Sequence, residues 1–388
     1  MKTMMVVIVA ALLAAGCQTT QVAPHSTVSQ YLEEDEERIW DRVLEEEAIL
    51  DSSGFVYIDP ELEDYLNSVL ARVAPEYPTG PLQFRVMVIK NPTLNAFAYP
   101  NGVIYIHTGL LSRLENEAQL ATLLAHEMTH ASHRHALKQY RDIKNKTAFL
   151  ATVQAGLLSM GSVGSLAGSL GSIGVLASVQ GYSRDLEREA DYEGFLAVKR
   201  AGYDTAEAPK LFHHLQAWVE ENDINEPFFF GSHPKLQERI DNFTELIEEQ
   251  NSTGNGGVKN SEVYMAHVLP VVLLNAALDL DSGRYTSAKK GIAKYHQYRA
   301  DNPQSYCLLG DVLAEEKGDD FQAHAMDNYQ QAVAIDPDFG EAYRGVGLVQ
   351  YKSKNCTDAV AAFQRYLELC PEAKDRSYIQ YYLEQCSK

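Results

Sequence analysis

The spacing of apolar residues divides the chain into helical and extended stretches. Residues 30–75 repeat their apolar positions with helical periodicity on a strongly acidic background. Residues 82–89, LQFRVMVI, alternate in the manner of a β-strand. The stretch LENEAQLATLLA, which begins at Leu114, is rich in Leu, Ala and Glu and lacks Gly and Pro, so it predicts a helix. The pattern as a whole predicts a mainly α fold with a small β-sheet.

The last third of the chain contains a linker and a repeat. Residues 248–262, EEQNSTGNGGVKNSE, are rich in Gly, Asn and Ser and predict a linker. Beyond it, two series resemble tetratricopeptide (TPR) repeats, apart from an insertion around EKGDDF, and a degraded copy covers residues 265–303. We expect an all-α domain over residues 263–388 that binds a protein partner or serves only as a scaffold. The matching positions are Tyr306, Gly310, Ala325, Tyr329, Ala332 and Pro337, and then Tyr343, Gly347, Ala359, Phe363, Tyr366 and Pro371.

Residues 147–183 contain no charged residue and many Gly and Ser. Their length alone would allow a membrane span, but bulky apolar residues are few. Closely packed or flexible helices that cover a cleft fit this composition better. A segment that dips into a membrane is the second interpretation.

The sequence HEMTHASHRH, residues 126–135, contains four histidines. In a helix, His126 and His130 lie one turn apart on the same face, where two imidazoles can bind one metal ion. They bracket Glu127 and complete the HExxH signature of zinc hydrolases, in which the glutamate is the general base. A surface helix with scattered histidines is the alternative.

The other two histidines are not expected to bind the same ion. A continuous helix would place His133 about 10 Å from His126 along its axis and would point His135 to the opposite side. Both are predicted to be solvated histidines near a helix C-terminus, whose dipole favours a positive charge. The metzincin arrangement also fails, because it needs Gly and His where the chain has His133 and Ala136.

A catalytic zinc ion needs a third protein ligand. Residues 181–195, GYSRDLEREADYEGF, predict a second helix that Ser183 can cap. Glu187 and Asp191 share one face of this helix, and Glu189 points to roughly the opposite side. One carboxylate of the pair can bind metal while the other orients a ligand histidine, and an ordinary solvated helix is the alternative.

HEMTH followed by YSRDLEREAD resembles the CAAX-prenyl-protease-like zinc metallopeptidases, a gluzincin family. The resemblance implies a zincin-like α+β domain over residues 31–247, with Glu187 as the third zinc ligand and Asp191 as its supporting carboxylate. Two further stretches match that family. NAFAYPNGVIYIHTGLL, residues 95–111, is similar to its edge hairpin, and FFFGSHPKLQERI, residues 228–240, is similar to its HP…RI segment.

The resemblance is strongest to bacterial periplasmic members that carry a C-terminal TPR module. In those members the histidine of the HP pair can approach the zinc and block it. His233 holds this position, which makes it a candidate regulatory ligand, although a loop histidine without a ligand role is the alternative. Arg239, in QERI, is expected to support the His233 loop or to contact substrate.

The hairpin predicts where a substrate would bind. Asn101-Gly102 is a strong signal for a two-residue turn, because both central positions of such a turn need a positive φ. Zinc peptidases commonly bind substrate as an additional strand at an exposed sheet edge. We therefore interpret residues 95–99 as the template strand, with a purely structural hairpin as the alternative. The candidate substrate contacts are Asn95, Ala96, Phe97 and Ala98.

Charge and length limit the classes of partner. The chain has 388 residues, a net charge of −20 and a pI of about 5.0. Such acidity argues against nucleic acid as a partner, since phosphate binding needs basic patches. It also disfavours electrostatic docking on anionic lipid.

The first residues, MKTMMVVIVAALLAAGC, predict a secretory signal, because Lys2 precedes an apolar run and small residues. The segment resembles a bacterial lipoprotein signal over residues 1–17, with Cys17 as the lipidated residue and residues 18–30 as a tether. Ala14 departs from that pattern, and Gln18 favours the outer membrane. A cleaved soluble signal and an uncleaved anchor are the alternatives.

Export makes disulfides feasible. Four cysteines follow Cys17, all in the last third of the chain, and two disulfides are expected among them. Cys356 and Cys386 can pair across two antiparallel helices. The four residues are Cys307, Cys356, Cys370 and Cys386.

The sequence thus predicts a lipid-anchored periplasmic zinc metalloendopeptidase with a C-terminal TPR module. The resemblance implies misfolded or stalled envelope proteins as substrates and outer-membrane assembly machinery as a partner of the TPR face. The competing hypothesis is a non-proteolytic chaperone or adaptor with a structural or blocked zinc site. Glu127 favours the enzyme, because a structural zinc site needs no general base. Processing of lipidated peptides inside a membrane is disfavoured, because strong multi-spanning segments are absent.

Overall fold

The computed structural model describes residues 22–25, 31–77, 80–145, 182–221, 236–250, 257–316 and 319–387. The chain divides into two compact units, residues 1–267 and residues 268–388. Three of the sequence predictions lie outside the described residues. They concern the signal with Cys17, residues 147–181 of the uncharged segment, and His233.

The described part of the first unit combines helices with a small mixed sheet. The helices are α1 (Glu34–Ser52), α2 (Pro60–Val73), α3 (Thr108–Leu111), α4 (Glu117–Ser132), α5 (Arg184–Arg200), α6 (Glu207–Glu221) and α7 (Leu236–Glu249), and residues 135–145 are helical as well. The strands are β1 (Val56–Tyr57), β2 (Arg85–Ile89), β3 (Ala96–Ala98) and β4 (Val103–His107). The predicted α+β architecture is confirmed.

The strand order is β1-β2-β4-β3, which leaves β3 at an edge of the sheet. Strand β2 pairs in parallel with β4, and β3 pairs antiparallel to β4, with Phe97 opposite Tyr105. Strand β4 is buried along its whole length, as expected for a central strand. The strand predicted within residues 82–89 is confirmed as β2.

The turn between β3 and β4 is longer than the predicted two-residue turn. The Gly102 N–H donates to the Tyr99 carbonyl, and the Tyr99 N–H donates to the Val103 carbonyl, so three residues form the loop. Within residues 99–103, all of them described, only Gly102 has a positive φ, of 98°. Pro100 explains the difference, because its fixed φ favours a type I turn that is then closed by a glycine.

The helical periodicity predicted over residues 30–75 corresponds to two helices with a short strand between them. Helix α1 ends at Ser52, Gly54 takes a positive φ of 76°, and β1 follows. Helix α2 then begins at Pro60, where the Asp59 side chain accepts a hydrogen bond from the Leu62 N–H at 3.1 Å. An N-cap residue followed by proline is a strong signal for the start of a helix. Apolar periodicity alone does not show where one helix ends and the next begins.

Helix α4 is the central helix of the first unit. The Asn116 side chain caps it by accepting a hydrogen bond from the Gln119 N–H at 3.0 Å. Every residue from Glu117 to Ser132 is buried. The helix ends before His133, and Arg134 adopts a left-handed conformation with φ 57°. The expected continuous helix through residue 135 is therefore wrong.

Helix α5 packs against α4, and a glycine permits their close approach. A Cβ atom at Gly194 would lie 3.1 Å from the backbone nitrogen of His126. That separation is tighter than a backbone contact normally allows, so Gly194 fixes how near the two helices lie. The sequence-predicted helix after Ser183 is confirmed, with the Ser183 hydroxyl at its N-terminus.

Two segments expected to be flexible connections pack onto the first unit. Residues 22–25 belong to the predicted tether, yet the His25 N–H donates to the Ser132 carbonyl at 2.8 Å. Within the predicted linker, Val258 forms a bridge with Tyr203, and a Cβ at Gly257 would overlap the backbone of Asp204. The boundary between the compact units lies after His267.

The second unit consists of helices in its described part. Helix α8 (Ser261–Asp281) spans the boundary between the units. The helices that follow are α9 (Tyr285–Tyr298), α10 (Pro303–Glu315), α11 (Asp319–Ile335), α12 (Gly340–Lys352), α13 (Cys356–Leu369) and α14 (Arg376–Cys386). Helix α8 is also long and apolar enough to cross a membrane, by length and composition only.

The repeat positions meet as predicted from their order. A Cβ at Gly310 would lie 2.6 Å from the Tyr329 ring, and one at Gly347 would lie 2.5 Å from the Phe363 ring. Each glycine therefore makes room for the aromatic residue of the paired helix. Gly345 makes a similar close approach to Tyr329 from the next helix. The glycines and aromatics of the repeat are thus packing positions.

The prediction of two disulfides is contradicted, because all four described cysteines are free. Cys307 is buried in the cluster that contains Tyr329, and Cys370 lies against Gly340, so these two sulfurs occupy different environments. Contact with the Cys356 thiol raises the pKa of Cys386 to about 11. Cys356 and Cys386 are therefore neighbours, as their positions suggested, but they are present as thiols.

Candidate metal centre

Three predicted ligands converge in the first unit. The Nε2 atoms of His126 and His130 are 3.0 Å apart. Glu187 reaches them from α5, with Oε2 3.5 Å from His126 Nε2 and Oε1 3.6 Å from His130 Nε2. All three side chains are at most 1% exposed.

This triangle fits a zinc ion. Ligands bound at about 2.1 Å to a tetrahedral ion are about 3.4 Å from one another, close to the three distances above. Two imidazoles and one carboxylate form a donor set typical of catalytic zinc. Their donor atoms lie within 4.8 Å of one another, and without a cation the carboxylate would face the two rings in a buried site. The residues present therefore fit the metal that the sequence predicted.

His126 is held from behind by an ion pair. Its Nδ1 is 2.9 Å from Asp191 Oδ1. Arg239 donates to the same carboxylate oxygen from Nη2 at 2.6 Å and from Nε at 3.1 Å. A ligand imidazole needs its second nitrogen anchored, because that hydrogen bond fixes both the ring orientation and the tautomer. The predicted role of Asp191 as the residue that orients a ligand imidazole agrees with this geometry.

Opposing influences determine the pKa of His126. Burial lowers it and so does the Arg239 charge, but hydrogen bonds to Asp191 and Glu187 raise it, to about 9 in the metal-free protein. Burial raises the pKa of Asp191, but the charge of Arg239 and the hydrogen bond with His126 lower it further, to below its usual value. A proton therefore compensates the carboxylates in the metal-free site, and a metal ion must displace it.

Arg239 does not lie where a substrate contact was expected. Its side chain is 1% exposed, and its guanidinium carbon lies 4.2 Å from the centre of the Phe212 ring. The Nε and Nη2 atoms of this guanidinium bind the carboxylate and its face lies on the ring, while the buried Nη1 has no hydrogen-bond partner among the described residues. Arg239 therefore supports Asp191 from α7, and the prediction that it contacts substrate is wrong.

His130 is supported by a different partner, which the sequence reasoning missed. Its Nδ1 is 2.8 Å from the Nδ1 of His135. His135 is completely buried, and its Nε2 is 3.3 Å from Glu189 Oε2. Burial lowers the pKa of His135 to about 4, although Glu189 opposes that shift, so the ring is neutral at neutral pH.

The prediction that His133 and His135 are solvated is wrong for His135 and only partly right for His133. His133 keeps 16% of its side chain exposed and is 2.6 Å from Glu189 Oε1. Hydrogen bonds from His133 and His135 lower the pKa of Glu189 below its ordinary value. The error came from extending α4 past Ser132, since a turn rather than a helix carries both histidines. The HxH spacing opposite Glu189 is the signal that could have revealed the cluster.

Tyr182 is a further residue of the site that the sequence did not indicate. Its ring stacks on the His130 ring with centroids 4.0 Å apart and planes 14° apart. Burial raises its pKa well above the ordinary value, and the charges of Glu127 and Glu187 add to the effect. The Tyr182 phenol therefore keeps its proton and remains a hydrogen-bond donor next to the candidate general base.

Glu127 and the edge strand complete the site. Glu127 follows His126 on α4 and is 1% exposed. Helix α4 also packs against β3, so the predicted template strand lies beside the HExxH helix. Ala96 is fully buried, while Phe97 and Ala98 are partly exposed, so an added strand would bind here mainly through backbone groups.

Residues 60–247 match the peptidase family described as Peptidase family M48. The chain contains an M48 peptidase domain. The matched residues include the three metal-ligand candidates and the three residues discussed with them. They are His126, His130 and Glu187, and then Glu127, Asp191 and Arg239. The family resemblance inferred from HEMTH and YSRDLEREAD is thereby confirmed.

Curated relatives of this M48 domain have two kinds of name. The beta-barrel assembly-enhancing protease of Escherichia coli (strain K12) is 30% identical over 187 residues, which are 47% of this chain and 38% of that protein. The mitochondrial metalloendopeptidase OMA1 of Schizosaccharomyces pombe is 31% identical over 186 residues, which are 48% of this chain and 53% of that protein. The match thus spans about half or less of each relative. Among solved structures, an Arabidopsis OM64 TPR domain is 18% identical and covers 30% of this chain and 94% of that chain, with a TM-score of 0.28.

Proposed function

We propose that the chain is a zinc metalloendopeptidase. The observation that carries the proposal is the triangle of His126, His130 and Glu187, whose donor atoms are spaced as a tetrahedral zinc ion requires. The membership of residues 60–247 in a peptidase family supports it. The names of the relatives, an assembly-enhancing protease and a metalloendopeptidase, support it as well.

The chain's own residues then divide the chemistry. Zinc bound by the three ligands would supply a Lewis acid for the scissile carbonyl and for water. Glu127 accepts the proton of the attacking water and returns it to the leaving amine. We propose that Tyr182, whose ring stacks on His130 and whose phenol keeps its proton, donates to developing negative charge. Asp191 keeps the His126 ring in the orientation that directs Nε2 to the metal.

We propose further that β3 presents the substrate. An extended segment pairing with residues 96–98 would join the sheet as a strand beyond its edge, next to α4. Backbone pairing of this kind selects for extended or unfolded segments more than for a particular sequence. This fits misfolded or stalled envelope proteins as the substrate class, with the repeat unit recruiting them or docking to outer-membrane assembly machinery.

We also propose a lipid anchor on Cys17 and a place in the periplasm at the outer membrane. The support is Lys2, the apolar run and the small residues before Cys17, together with relatives that are named for β-barrel assembly. Labelling of cells with an alkyne fatty acid should mark the protein. A Cys17→Ser variant should lose both the label and sedimentation with membranes. An equally labelled variant would rule out this anchor.

The proteolytic function is tested by digestion of an unfolded protein such as casein, with zinc content measured in the same samples. We expect Glu127→Gln to bind one zinc ion with the wild-type affinity and to lose activity by a factor of about 10² to 10⁴, as general-base removal does. A His130→Ala variant should lose both zinc and activity. If the wild-type protein holds zinc and is as inactive as Glu127→Gln, the chain is an adaptor with a structural metal and the proposal is wrong.

A further inference from the structure

A series of polar and charged groups leads from His130 towards the surface of the first unit. The Nδ1 atoms of His130 and His135 are 2.8 Å apart, and His135 Nε2 is 3.3 Å from Glu189 Oε2. Glu189 also contacts His133 Nδ1 at 2.6 Å and Lys138 Nζ at 3.5 Å. His135 is completely buried, whereas 35% of the Glu189 side chain is exposed. Both ring nitrogens of His135 thus face a polar group.

The proton positions along this series follow from the metal-binding role of His130. A neutral imidazole that binds metal through Nε2 carries its proton on Nδ1. In His130 that N–H points at His135 Nδ1, so His135 must accept there. A neutral His135 then has its proton on Nε2, 3.3 Å from the Glu189 carboxylate, whose negative charge favours the proton on that side although the pair is outside hydrogen-bond geometry. With His130 bound to metal through Nε2, only this assignment places a donor opposite an acceptor across the 2.8 Å between the two Nδ1 atoms.

The break after α4 makes the contact feasible. In an uninterrupted helix, side chains five residues apart point about 140° from one another, so His135 could not reach His130. The left-handed conformation of Arg134 reverses the chain and returns His135 to the helix. Arg134 is itself held by α1, because its Nε donates to Glu36 at 2.9 Å and its Nη2 donates to Glu33 at 3.0 Å. These bonds hold Arg134 in its left-handed conformation, and that conformation directs the His135 side chain towards His130.

We propose that His135 is a positioning residue for the metal centre and that Glu189 sets its tautomer. His135 holds the Nδ1–H of His130 so that Nε2 faces the metal, as Asp191 does for His126 on the other side of the site. Glu189 keeps the His135 proton on Nε2 and so keeps Nδ1 available as an acceptor. The inference rests on the proposed zinc function, because it assigns His130 as a ligand through Nε2.

The same three side chains could instead hold a second cation. Donor atoms of His133, His135 and Glu189 lie within 4.8 Å of one another. A metal on His135 Nε2 would force the ring proton onto Nδ1, where it would face the Nδ1–H of His130 at 2.8 Å. Two donors at that distance repel, so a metal there would weaken the first site. Lys138 also already compensates the Glu189 charge. We therefore expect one zinc ion per chain.

The test measures zinc affinity, by competition with a chelator, rather than proteolysis. His135→Phe keeps the ring volume and removes the acceptor, and we expect zinc to bind about 10-fold to 100-fold more weakly, as for other residues that orient metal ligands. His133→Phe is the matched control. It removes a histidine two residues away that contacts Glu189 but not His130, and we expect the affinity to stay within about twofold of wild type.

Two measurements separate positioning from a loss of fold. Thermal unfolding of the metal-free variants shows whether His135→Phe keeps the fold. The Co²⁺ absorption spectrum of the substituted protein should change in His135→Phe and stay unchanged in His133→Phe, because it reports ligand geometry. If His135→Phe fails to fold, Glu189→Leu is tested instead. Glu189 is partly exposed, and its removal takes away the charge that keeps the His135 proton on Nε2. We expect Glu189→Leu to weaken zinc binding at least threefold.

Two outcomes would overturn the inference. The first is a folded His135→Phe protein that binds zinc within about twofold of wild type and has an unchanged Co²⁺ spectrum. The second is two zinc ions per wild-type chain, one of which is lost in His133→Phe, because the cluster would then be a second metal site. A wild-type protein that binds zinc, depends on His135 and digests nothing would refute the proposed function but leave the positioning role intact.

Discussion

The central helix of the first unit and the helix pair α12–α13 of the second unit are stabilised in different ways. Every residue of α4 is buried, and among its buried residues are His126, Glu127 and His130. The pair α12–α13 buries one side only, and that side is made of small, apolar and aromatic residues. Those residues are Gly340, Ala342, Gly345, Gly347 and Val349, and then Ala359, Ala362, Phe363 and Tyr366.

The difference shows what each helix is for. Burying an ionisable group is costly unless it is paired, so a helix that buries several of them needs partners from elsewhere in the fold. Asp191, Arg239, His135 and Glu187 supply those partners to α4. The repeat helices need only complementary shape, which glycines facing aromatic rings provide. Changes at the residues that support the ligands of α4 should therefore affect zinc binding as well as stability, whereas changes at the repeat positions should affect stability alone.

Removing Arg239 should have the largest effect. Arg239→Leu leaves Asp191 buried without its cation, which should lower the free energy of unfolding by about 3–5 kcal/mol and weaken zinc binding. The control is Arg365→Leu, whose ion pair with Asp338 at 2.7 Å is exposed. That change should leave the free energy of unfolding nearly unchanged, because solvent screens an exposed ion pair. Urea unfolding measures the free energy of unfolding of both variants. Equal losses would show that the buried ion pair of Arg239 contributes no more to stability than the exposed pair of Arg365.

Removing an aromatic residue of the repeat should destabilise the chain without affecting the metal. Phe363 is fully buried beside Gly347, so Phe363→Ala should cost about 3–5 kcal/mol in the unfolding of the second unit. Zinc affinity should stay at the wild-type value. Tyr381→Ala, at a residue that is 55% exposed, is the control and should cost less than about 0.5 kcal/mol. A parallel loss of zinc affinity in Phe363→Ala would show that the units are not independent.

A matched pair of glycine substitutions sharpens the comparison. Gly194→Ala places a Cβ 3.1 Å from the His126 backbone, and Gly347→Ala places one 2.5 Å from the Phe363 ring. Each should cost about 1–3 kcal/mol through overpacking. Only Gly194→Ala should also weaken zinc binding, because separating α5 from α4 moves Glu187 away from the histidines. Isothermal titration with zinc distinguishes them, and a similar affinity in both variants would refute this role of Gly194.

The pH dependence of zinc binding changes no residue contact and affects the metal centre alone. The pKa of His126 in the metal-free protein is about 9, so at neutral pH zinc must displace a proton from it. The apparent affinity should therefore rise about tenfold per pH unit as pH increases from 6 to 8 and level off near the pKa. Asp191→Asn removes the strongest influence that raises this pKa and should flatten the dependence. A wild-type affinity that does not change over this range would contradict the assignment.

Much of the metal centre could be predicted from the sequence because helical spacing fixes it locally. Residues four apart face the same way, which sufficed to pair His126 with His130 and Glu187 with Asp191. The strand at residues 96–98 followed from strand-forming residues beside a turn signal, and its place at a sheet edge followed from the family resemblance. The glycines and aromatics of the repeat followed from their order. The details that failed were breaks in regular structure. Pro100 lengthened the turn, Gly54 interrupted the first helical stretch, and Arg134 ended α4 before His135.

What the sequence by itself determined is the set of candidate ligands and the candidate general base, because His126, Glu127 and His130 lie within one helix and Glu187 and Asp191 lie within another. Only the tertiary structure decided which residues support those ligands. Arg239 reaches Asp191 from α7, and His135 reaches His130 around a left-handed turn. Such partnerships join residues 48 and 5 positions apart whose distance depends on how helices cross and where one ends. Backbone periodicity carries no information about either, because both are set by packing between elements.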